Sequence, residues 1–214
     1  NKEINAFVTG GKNIFVNTGL ITQADDYREY QAVIAHELSH IIGGHIFNTS
    51  AEIQNLSDKA LPVYLLGIIG IFAGSADTAI TSIMLGQASI QDGFTYYSRN
   101  QEASADQAAI NLMCSNNIDA SYLIGFLEKL DRKTLDKFSK ENYYRSTHPP
   151  IDSRKDWINI SLKNKNCEYE NSLLLQKKFN LLKSKLIAFT HSKHEVTAIY
   201  NGDSNVDLYA NAIV

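Results

Sequence analysis

The chain has 214 residues, of which 44% are hydrophobic and 20% are charged, and its formal net charge is −3. This length and composition predict one folded domain with a substantial core, with or without a small appendage, and exclude a disordered or fibrous protein. The slightly acidic balance argues against a nucleic-acid partner. Two cysteines, Cys114 and Cys167, are too few for a disulfide framework or a cysteine zinc site, and whether they form a single bridge stays open.

The first predicted element is a β-hairpin in residues 5–21, where two short segments rich in apolar and β-branched residues flank a Gly-Gly turn. Asp25 and Asp26 then occupy positions suited to a helix cap. Apolar residues at helical spacing predict a long helix over about residues 27–47.

An unusually apolar segment follows. Residues 60–91 contain one charged side chain, Asp77, and the 16 residues 61–76 contain none. This run is shorter than the roughly 18 to 20 residues that span a bilayer. We favour a buried helical hairpin, and the alternative is a hairpin that contacts a membrane surface through residues 61–90.

Further helices are predicted over residues 97–114 and 120–129, the first with several small alanines that allow close packing. The tripeptide His148-Pro149-Pro150 breaks any helix. Residues 173–189 carry an apolar stripe beside lysines, which is typical of a surface helix packed on a core.

The sequence His36-Glu37-Leu38-Ser39-His40 is an H-E-x-x-H motif. On a helix the two histidines lie about 6 Å apart along the axis and on nearly the same face, so both imidazoles can reach one metal ion. Glu37 projects to the adjacent side, where a general base would stand. The alternative is a pair of ordinary histidines without a ligand.

A catalytic zinc site needs a third protein ligand. His45 is a poor candidate because the metzincin pattern needs a histidine ten residues after His36, where Ile46 stands, and because His45 lies on a different face of the helix from His40. Glu102 is better, since Asp106 lies four residues later on the same helix face. Glu102 could bind the metal while Asp106 accepts a hydrogen bond from a histidine ligand.

Several motifs occur in one order along residues 4–155, and together the chain resembles a family of zinc metallopeptidases. That family includes HtpX, the CAAX prenyl endopeptidases and BepA, and the resemblance is strongest to the BepA-like branch. The matching motifs are Asn5-Ala6-Phe7, Gly10-Gly11, Asn17-Thr18-Gly19-Leu20, His36 to His40, Ser98-Arg99 with Glu102, Ala105-Asp106, Thr147-His148-Pro149 and Ser153-Arg154.

The resemblance implies an α+β, mostly helical fold of the zincin type, with a small β-hairpin or sheet beside the HExxH helix. It implies a gluzincin site with one Zn²⁺ ion. The catalytic domain would cover residues 1–160, and residues 161–214 would be a helical extension that begins a repeat domain. We also expect the natural protein to continue beyond Val214.

Site roles follow from the same resemblance. The zinc ligands would be His36, His40 and Glu102, with Glu37 as the catalytic glutamate and Asp106 as the partner of a histidine ligand. His148 would be a latch that occupies the open zinc position, and Arg154 would either stabilise an oxyanion or pair with an acid. The edge strand that receives substrate would consist of Asn13, Ile14, Phe15, Val16 and Asn17.

The predicted function is therefore a zinc-dependent endopeptidase that hydrolyses misfolded or misassembled envelope proteins, in the bacterial periplasm or at a membrane. Its partners would be protein or peptide substrates. One alternative is a chaperone or assembly module with a latent or structural zinc site. Another is a metal-binding scaffold without proteolytic activity. The sequence does not set the oligomeric state.

Overall fold

The computed structural model describes residues 2–9, 12–72, 76–135, 151–165 and 167–214. Within these ranges a two-stranded antiparallel sheet is followed by helices, so the predicted α+β, mostly helical fold is confirmed. The strands are β1 (Ala6–Thr9) and β2 (Asn13–Val16). The helices are α1 (Thr18–Gln23), α2 (Tyr27–Ile42), α3 (His45–Phe72), α4 (Ala76–Ser115), α5 (Tyr122–Leu135), α6 (Ile151–Lys163), α7 (Leu173–Thr190), α8 (Lys193–Ile199) and α9 (Asn205–Ile213).

The β-hairpin is where the sequence predicted it, with Ala6 opposite Val16 and Phe7 opposite Phe15. The rings of Phe7 and Phe15 stack with their centroids 5.5 Å apart, a cross-strand contact that stabilises a small sheet. The second extended segment is shorter than predicted, because β2 ends at Val16 and residues 18–23 form helix α1. The sheet packs beside α2.

Gly19 lets the N-terminal residues pack closely against helix α1. A Cβ atom at this position would overlap the carbonyl oxygens of Lys2 and Glu3. Only glycine allows the two backbones to approach this closely. Nearby, the Asn17 backbone N–H donates to the Asn5 carbonyl at 3.0 Å. These contacts fix the hairpin against α1.

Helix α2 carries the HExxH motif and begins at a well-defined cap. The Asp26 carboxylate accepts hydrogen bonds from the Arg28 backbone N–H at 2.9 Å and from the Arg28 guanidinium at 2.8 Å. The guanidinium also lies over the Tyr122 ring of α5, 4.2 Å from its centroid. The start of α2 is therefore held to α5.

The C-terminal end of α2 differs from the prediction of one helix through about residue 47. The helix ends at Ile42, and Gly44 adopts a φ of 64°, in the left-handed region that favours glycine. Helix α3 then begins at His45. The two glycines thus split the predicted helix and change the direction of the chain.

The main core lies between α2, α4, α5 and α6. Small residues on α2 and α4 let these two helices pack closely, and Ala32, Ala105 and Ala109 are fully buried. The buried core residues are Ala6, Leu20, Ala32, Val33, Ala35, Ala109, Ile110, Met113, Ala120, Leu123, Phe126, Leu127, Leu130 and Ile158.

Helices α3 and α4 form the predicted helical hairpin, but the interpretation of its apolar segment as buried is wrong for the side chains that the structure describes. Helix α4 begins at Ala76 instead of near residue 97, so it is 40 residues long, or about 60 Å. Large apolar side chains on both helices are more than half exposed or close to it: Leu61, Leu65, Leu66, Ile80, Met84 and Leu85. Among the described helices, none has the length and apolar character needed to cross a membrane.

The C-terminal helices pack on the rest through α7, whose predicted range is confirmed. Phe179 of α7 packs against Tyr27 and Tyr30 of α2. A disulfide between Cys114 and Cys167, with Cα atoms 5.2 Å apart, connects the end of α4 to the segment before α7. The bridge that the sequence left open is therefore present. The boundary at residue 160 stays a prediction.

Candidate metal centre

The candidate centre lies between α2 and α4 in the interior of the protein. His36 and His40 come from α2, one turn apart, and Glu102 comes from α4. The exposed fractions of these residues are 2%, 9% and 3%. Burial of three polar side chains at one point is costly unless they bind one another or a common ligand.

The potential ligand atoms of these residues form a compact triangle. The Nε2 atoms of His36 and His40 are 3.0 Å apart. The Glu102 carboxylate oxygens lie 3.4 Å from His36 Nε2 and 3.3 Å from His40 Nε2. In a tetrahedral zinc site with bonds of about 2.0–2.1 Å, ligand atoms are about 3.3 Å apart. The three residues therefore fit a zinc ion, and they are a group that could hold a metal among the described residues.

Asp106 and Arg154 surround the outer side of this triangle. The His36 Nδ1 atom lies 3.0 Å from the Asp106 carboxylate. Arg154, from α6, donates to both oxygens of the Asp106 carboxylate at 2.8 and 2.9 Å, and its other terminal nitrogen lies 3.1 Å from Glu102. Of the two roles that the sequence left open for Arg154, the geometry has it paired with acids.

These contacts set the ionisation of the buried groups. Burial opposes protonation of His36, but its hydrogen bonds to Asp106 and Glu102 outweigh this effect and raise its pKa to about 9. Burial would raise the pKa of Asp106, yet the hydrogen bonds from Arg154 lower it. Asp106 is thus held as an anion that accepts the His36 N–H and fixes the ring's orientation.

Glu37 is almost completely buried, with 1% of its surface exposed, beside the two histidines. Burial raises the pKa of its carboxyl, and the charges of His36 and His40 partly offset that effect. A glutamate with a raised pKa accepts and releases a proton more readily near neutral pH than an exposed one.

The sequence argued only against His45 as a metal ligand, and the group of potential metal ligands among the described residues does not include it. His45 nevertheless contacts His40, because α2 ends at Ile42 and α3 begins at His45 after the Gly43–Gly44 turn. The Nδ1 atom of His45 lies 2.9 Å from Nδ1 of His40, on the side of that ring opposite Nε2. The two adjacent glycines, which favour a helix end, were the sequence signal for this break.

The remaining predicted site residues belong to the β-hairpin or lie outside the described residues. The β2 strand, Asn13 to Val16, pairs with β1 on one side, and among the described residues no other strand pairs with it. Phe15 is 49% exposed. Asn17 follows β2 and precedes α1. His148 lies outside the described residues.

Comparisons with known proteins point the same way. Residues 1–159 match the sequence model of peptidase family M48. The chain is 29% identical to the beta-barrel assembly-enhancing protease of Yersinia pestis over 154 residues, which cover 72% of this chain and 31% of that protein. It is 27% identical to the mitochondrial metalloendopeptidase OMA1 of Bos taurus over 167 residues, covering 73% and 30%.

A third relative is the metalloprotease LoiP of Escherichia coli (strain K12), 28% identical over 129 residues, which cover 60% of this chain and 48% of that protein. The match spans less than half the length of each of these relatives. The family model, in contrast, covers well over half of this chain, and the resemblance inferred from the sequence motifs is confirmed. The chain therefore belongs to peptidase family M48.

Proposed function

We propose that this chain carries the site of a zinc-dependent endopeptidase, in which His36, His40 and Glu102 bind one zinc ion and Glu37 is the general base. The observation that carries the proposal is the triangle of ligand atoms between α2 and α4, whose edges match those of a tetrahedral zinc site. Two imidazoles and one carboxylate suit zinc, and three protein ligands leave one position open, as in catalytic sites.

The chemistry divides between the metal and the protein. Bound zinc would supply Lewis acidity that polarises the peptide carbonyl and makes water nucleophilic at neutral pH. Glu37 would take the proton of the attacking water and deliver it to the leaving amine. Burial raises the pKa of the Glu37 carboxyl, which makes it a stronger base than an exposed glutamate.

We assign positioning roles to Asp106 and Arg154. Asp106 would keep the His36 proton on Nδ1, so that the Nε2 lone pair faces the metal. Arg154 would hold the Asp106 and Glu102 carboxylates in place through charge-assisted hydrogen bonds. Because its guanidinium is already directed at two acids, we favour this role over oxyanion stabilisation.

The substrate would bind in extended form. The edge of β2 that no described strand occupies offers backbone N–H and C=O groups, to which a peptide can add as a third strand. The half-exposed Phe15 on this strand would contact a substrate side chain. Such binding recognises the substrate's backbone more than its side chains, which suits a protease that acts on many unfolded chains.

The substrate class is proposed from the relatives. Several of them bear the name beta-barrel assembly-enhancing protease. We propose that this chain acts on misfolded or misassembled envelope proteins, in the bacterial periplasm or at a membrane. Autoinhibition by His148 remains a prediction from the sequence resemblance.

The central test is the Glu37→Gln variant, which keeps the shape of the side chain and removes its basicity. Cleavage of unfolded casein should fall by at least about 100-fold, while the zinc content stays that of the wild type. Chelation should abolish wild-type cleavage and added zinc should restore it. Glu128→Gln, an exposed position on α5, is the matched control and should retain full activity.

Cleavage at the wild-type rate by a zinc-loaded Glu37→Gln protein would overturn the proposed mechanism.

The same variant distinguishes the peptidase from a second candidate function, a chaperone or assembly module. The exposed apolar side chains of the α3–α4 hairpin favour this second function. If suppression of casein aggregation is equal in both proteins and neither cleaves it, the chain acts as a module of that second kind.

We further propose that the exposed apolar part of the hairpin contacts a membrane surface. Its exposed residues on α3, Leu61, Leu65 and Leu66, point in directions that span about 140° of the helix circumference. An exposed apolar face of this width is as broad as the one that a helix usually buries, so it needs an apolar partner. Within residues 60–91 only Asp77 is charged, which favours an apolar environment.

A further inference from the structure

The Gly43–Gly44 turn brings the first residue of α3 back onto the last turn of α2. The His45 ring meets the His40 ring edge-on, with an interplanar angle of 79° and centroids 4.9 Å apart. The two Nδ1 atoms are 2.9 Å apart, which is hydrogen-bond distance. His45 is itself buried, with 8% of its surface exposed.

The position of the contact decides what it can do. His40 directs Nε2 toward His36 and Glu102, so Nε2 is its metal-binding atom in the proposed function. A neutral imidazole that offers a lone pair at Nε2 carries its proton on Nδ1. That proton needs an acceptor, and the Nδ1 atom of His45 lies at the right distance to be one. His45 would then carry its own proton on Nε2.

The two histidine ligands thus have different outer partners. His36 has the carboxylate of Asp106, which is the common arrangement for a metal-binding histidine. His40 has a second imidazole in the corresponding place. His45 therefore acts on the metal through His40, because it lies on the side of the His40 ring away from Glu102 and His36.

Two further contacts hold His45 in this position. The Gln101 side-chain amide donates to the His45 carbonyl at 2.9 Å, and the Thr49 hydroxyl donates to the same oxygen at 2.6 Å. Gln101 directly precedes Glu102 on α4, so the start of α3 is fastened beside the third ligand. Gly43 leaves room for the ring, since a Cβ there would lie 2.5 Å from His45 Nε2.

We propose that His45 is a positioning residue that accepts the Nδ1 proton of His40 and thereby fixes the tautomer and orientation of that zinc ligand. This inference rests on the proposed function, in which His40 binds the metal. Loss of such an outer partner weakens metal binding by about 10- to 100-fold in other sites. We expect a loss of this size when the acceptor at position 45 is removed.

The test compares two nearly isosteric variants of the whole chain, His45→Leu and His45→Asn. The Asn Oδ1 atom takes the place of the His Nδ1 atom and can accept the proton, whereas Leu cannot. Zinc affinity is measured by competition with a chromophoric chelator, and the thermal stability of the zinc-free proteins is measured in parallel. His45→Leu should bind zinc about 10- to 100-fold more weakly, and His45→Asn should recover most of this loss.

The inference would be overturned if folded His45→Leu bound zinc as tightly as the wild type, or if the Leu and Asn variants lost the same affinity. If His45→Leu does not fold, His45→Gln replaces it in the test. The Gln amide reaches the position of Nε2 instead of Nδ1, so it should not accept the His40 proton. The absorption spectrum of the cobalt-loaded proteins gives a second readout of ligand geometry. A wild-type chain that binds no zinc would refute the proposed function itself, which separates the two failures.

Discussion

The two ends of the α3–α4 hairpin reverse the usual distribution of polar and apolar side chains. At the end near α2, which we call the root, α4 buries the carboxylates of Glu102 and Asp106. Along the opposite part, which we call the tip and define as residues 61–90, the same two helices expose leucines and a methionine. One pair of helices thus buries charge at one end and presents apolar surface at the other.

The buried carboxylates of the root are stable only because oppositely charged or hydrogen-bonding groups lie beside them. Arg154 pairs with both carboxylates, and His36 contacts both. A buried carboxylate without such partners would cost several kcal/mol. The tip has no buried charge to pair, but its exposed apolar area is unfavourable in water unless a partner covers it. Both departures from the usual distribution therefore point to function, a metal at the root and an apolar partner at the tip.

Removal of the Arg154 guanidinium should cause the largest loss of stability at the root. In Arg154→Met the Asp106 and Glu102 carboxylates lose their main partner, so the zinc-free protein should lose about 3–5 kcal/mol of unfolding free energy. Urea unfolding in the presence of a chelator measures this loss. Arg99→Met, at an exposed position on α4, should change stability by less than about 0.5 kcal/mol. Equal stabilities of the two variants would contradict the account of the root.

A smaller effect is expected at the start of α2, the helix whose His36 and His40 lie against the root. Asp26→Ala removes the cap of this helix and the ion pair with Arg28, and should cost about 1–2 kcal/mol. Asp58→Ala, on the exposed surface of α3, serves as the control and should have almost no effect. Thermal unfolding of both proteins tests whether α2 depends on this cap.

The smallest effect on stability should come from the tip. Replacement of Leu61, Leu65 and Met84 together by Gln should change the unfolding free energy by less than about 0.5 kcal/mol per position, because these side chains are at least half exposed. Binding to phospholipid vesicles, measured by flotation, should nevertheless be lost. Leu173→Gln, at a more exposed leucine on α7, is the control and should bind like the wild type. Undiminished flotation of the triple variant would refute membrane contact through the tip.

The sequence predicted much of the root and little of the tip. His36, His40 and Glu37 follow from helical spacing alone, because three residues within one turn need no tertiary information. The spacing of Glu102 and Asp106 on a second helix and the order of the family motifs predict their place at the site, and both carboxylates lie against His36. For the tip the sequence favours burial, with membrane contact as the alternative, because an apolar run with a single charged residue gives the same pattern whether its side chains face a core or remain exposed.

His45 shows what local reasoning misses. If one helix ran through both residues, His45 and His40 would lie on different faces, whereas the turn at the left-handed Gly44 brings the two rings into contact. The disulfide is similar, since 53 residues separate Cys114 from Cys167 and no local pattern sets the distance between them.

The sequence by itself determined the kind of chemistry: the residue types and their spacing within single helices specified two imidazoles on one face and a glutamate beside them. Only the tertiary structure decided how distant groups meet at that centre. Arg154 and His45 reach the centre because α6 packs on α4 and because a glycine turn redirects the chain. Contacts of this kind depend on the packing of whole helices, and packing is a property of the assembled core instead of any one segment.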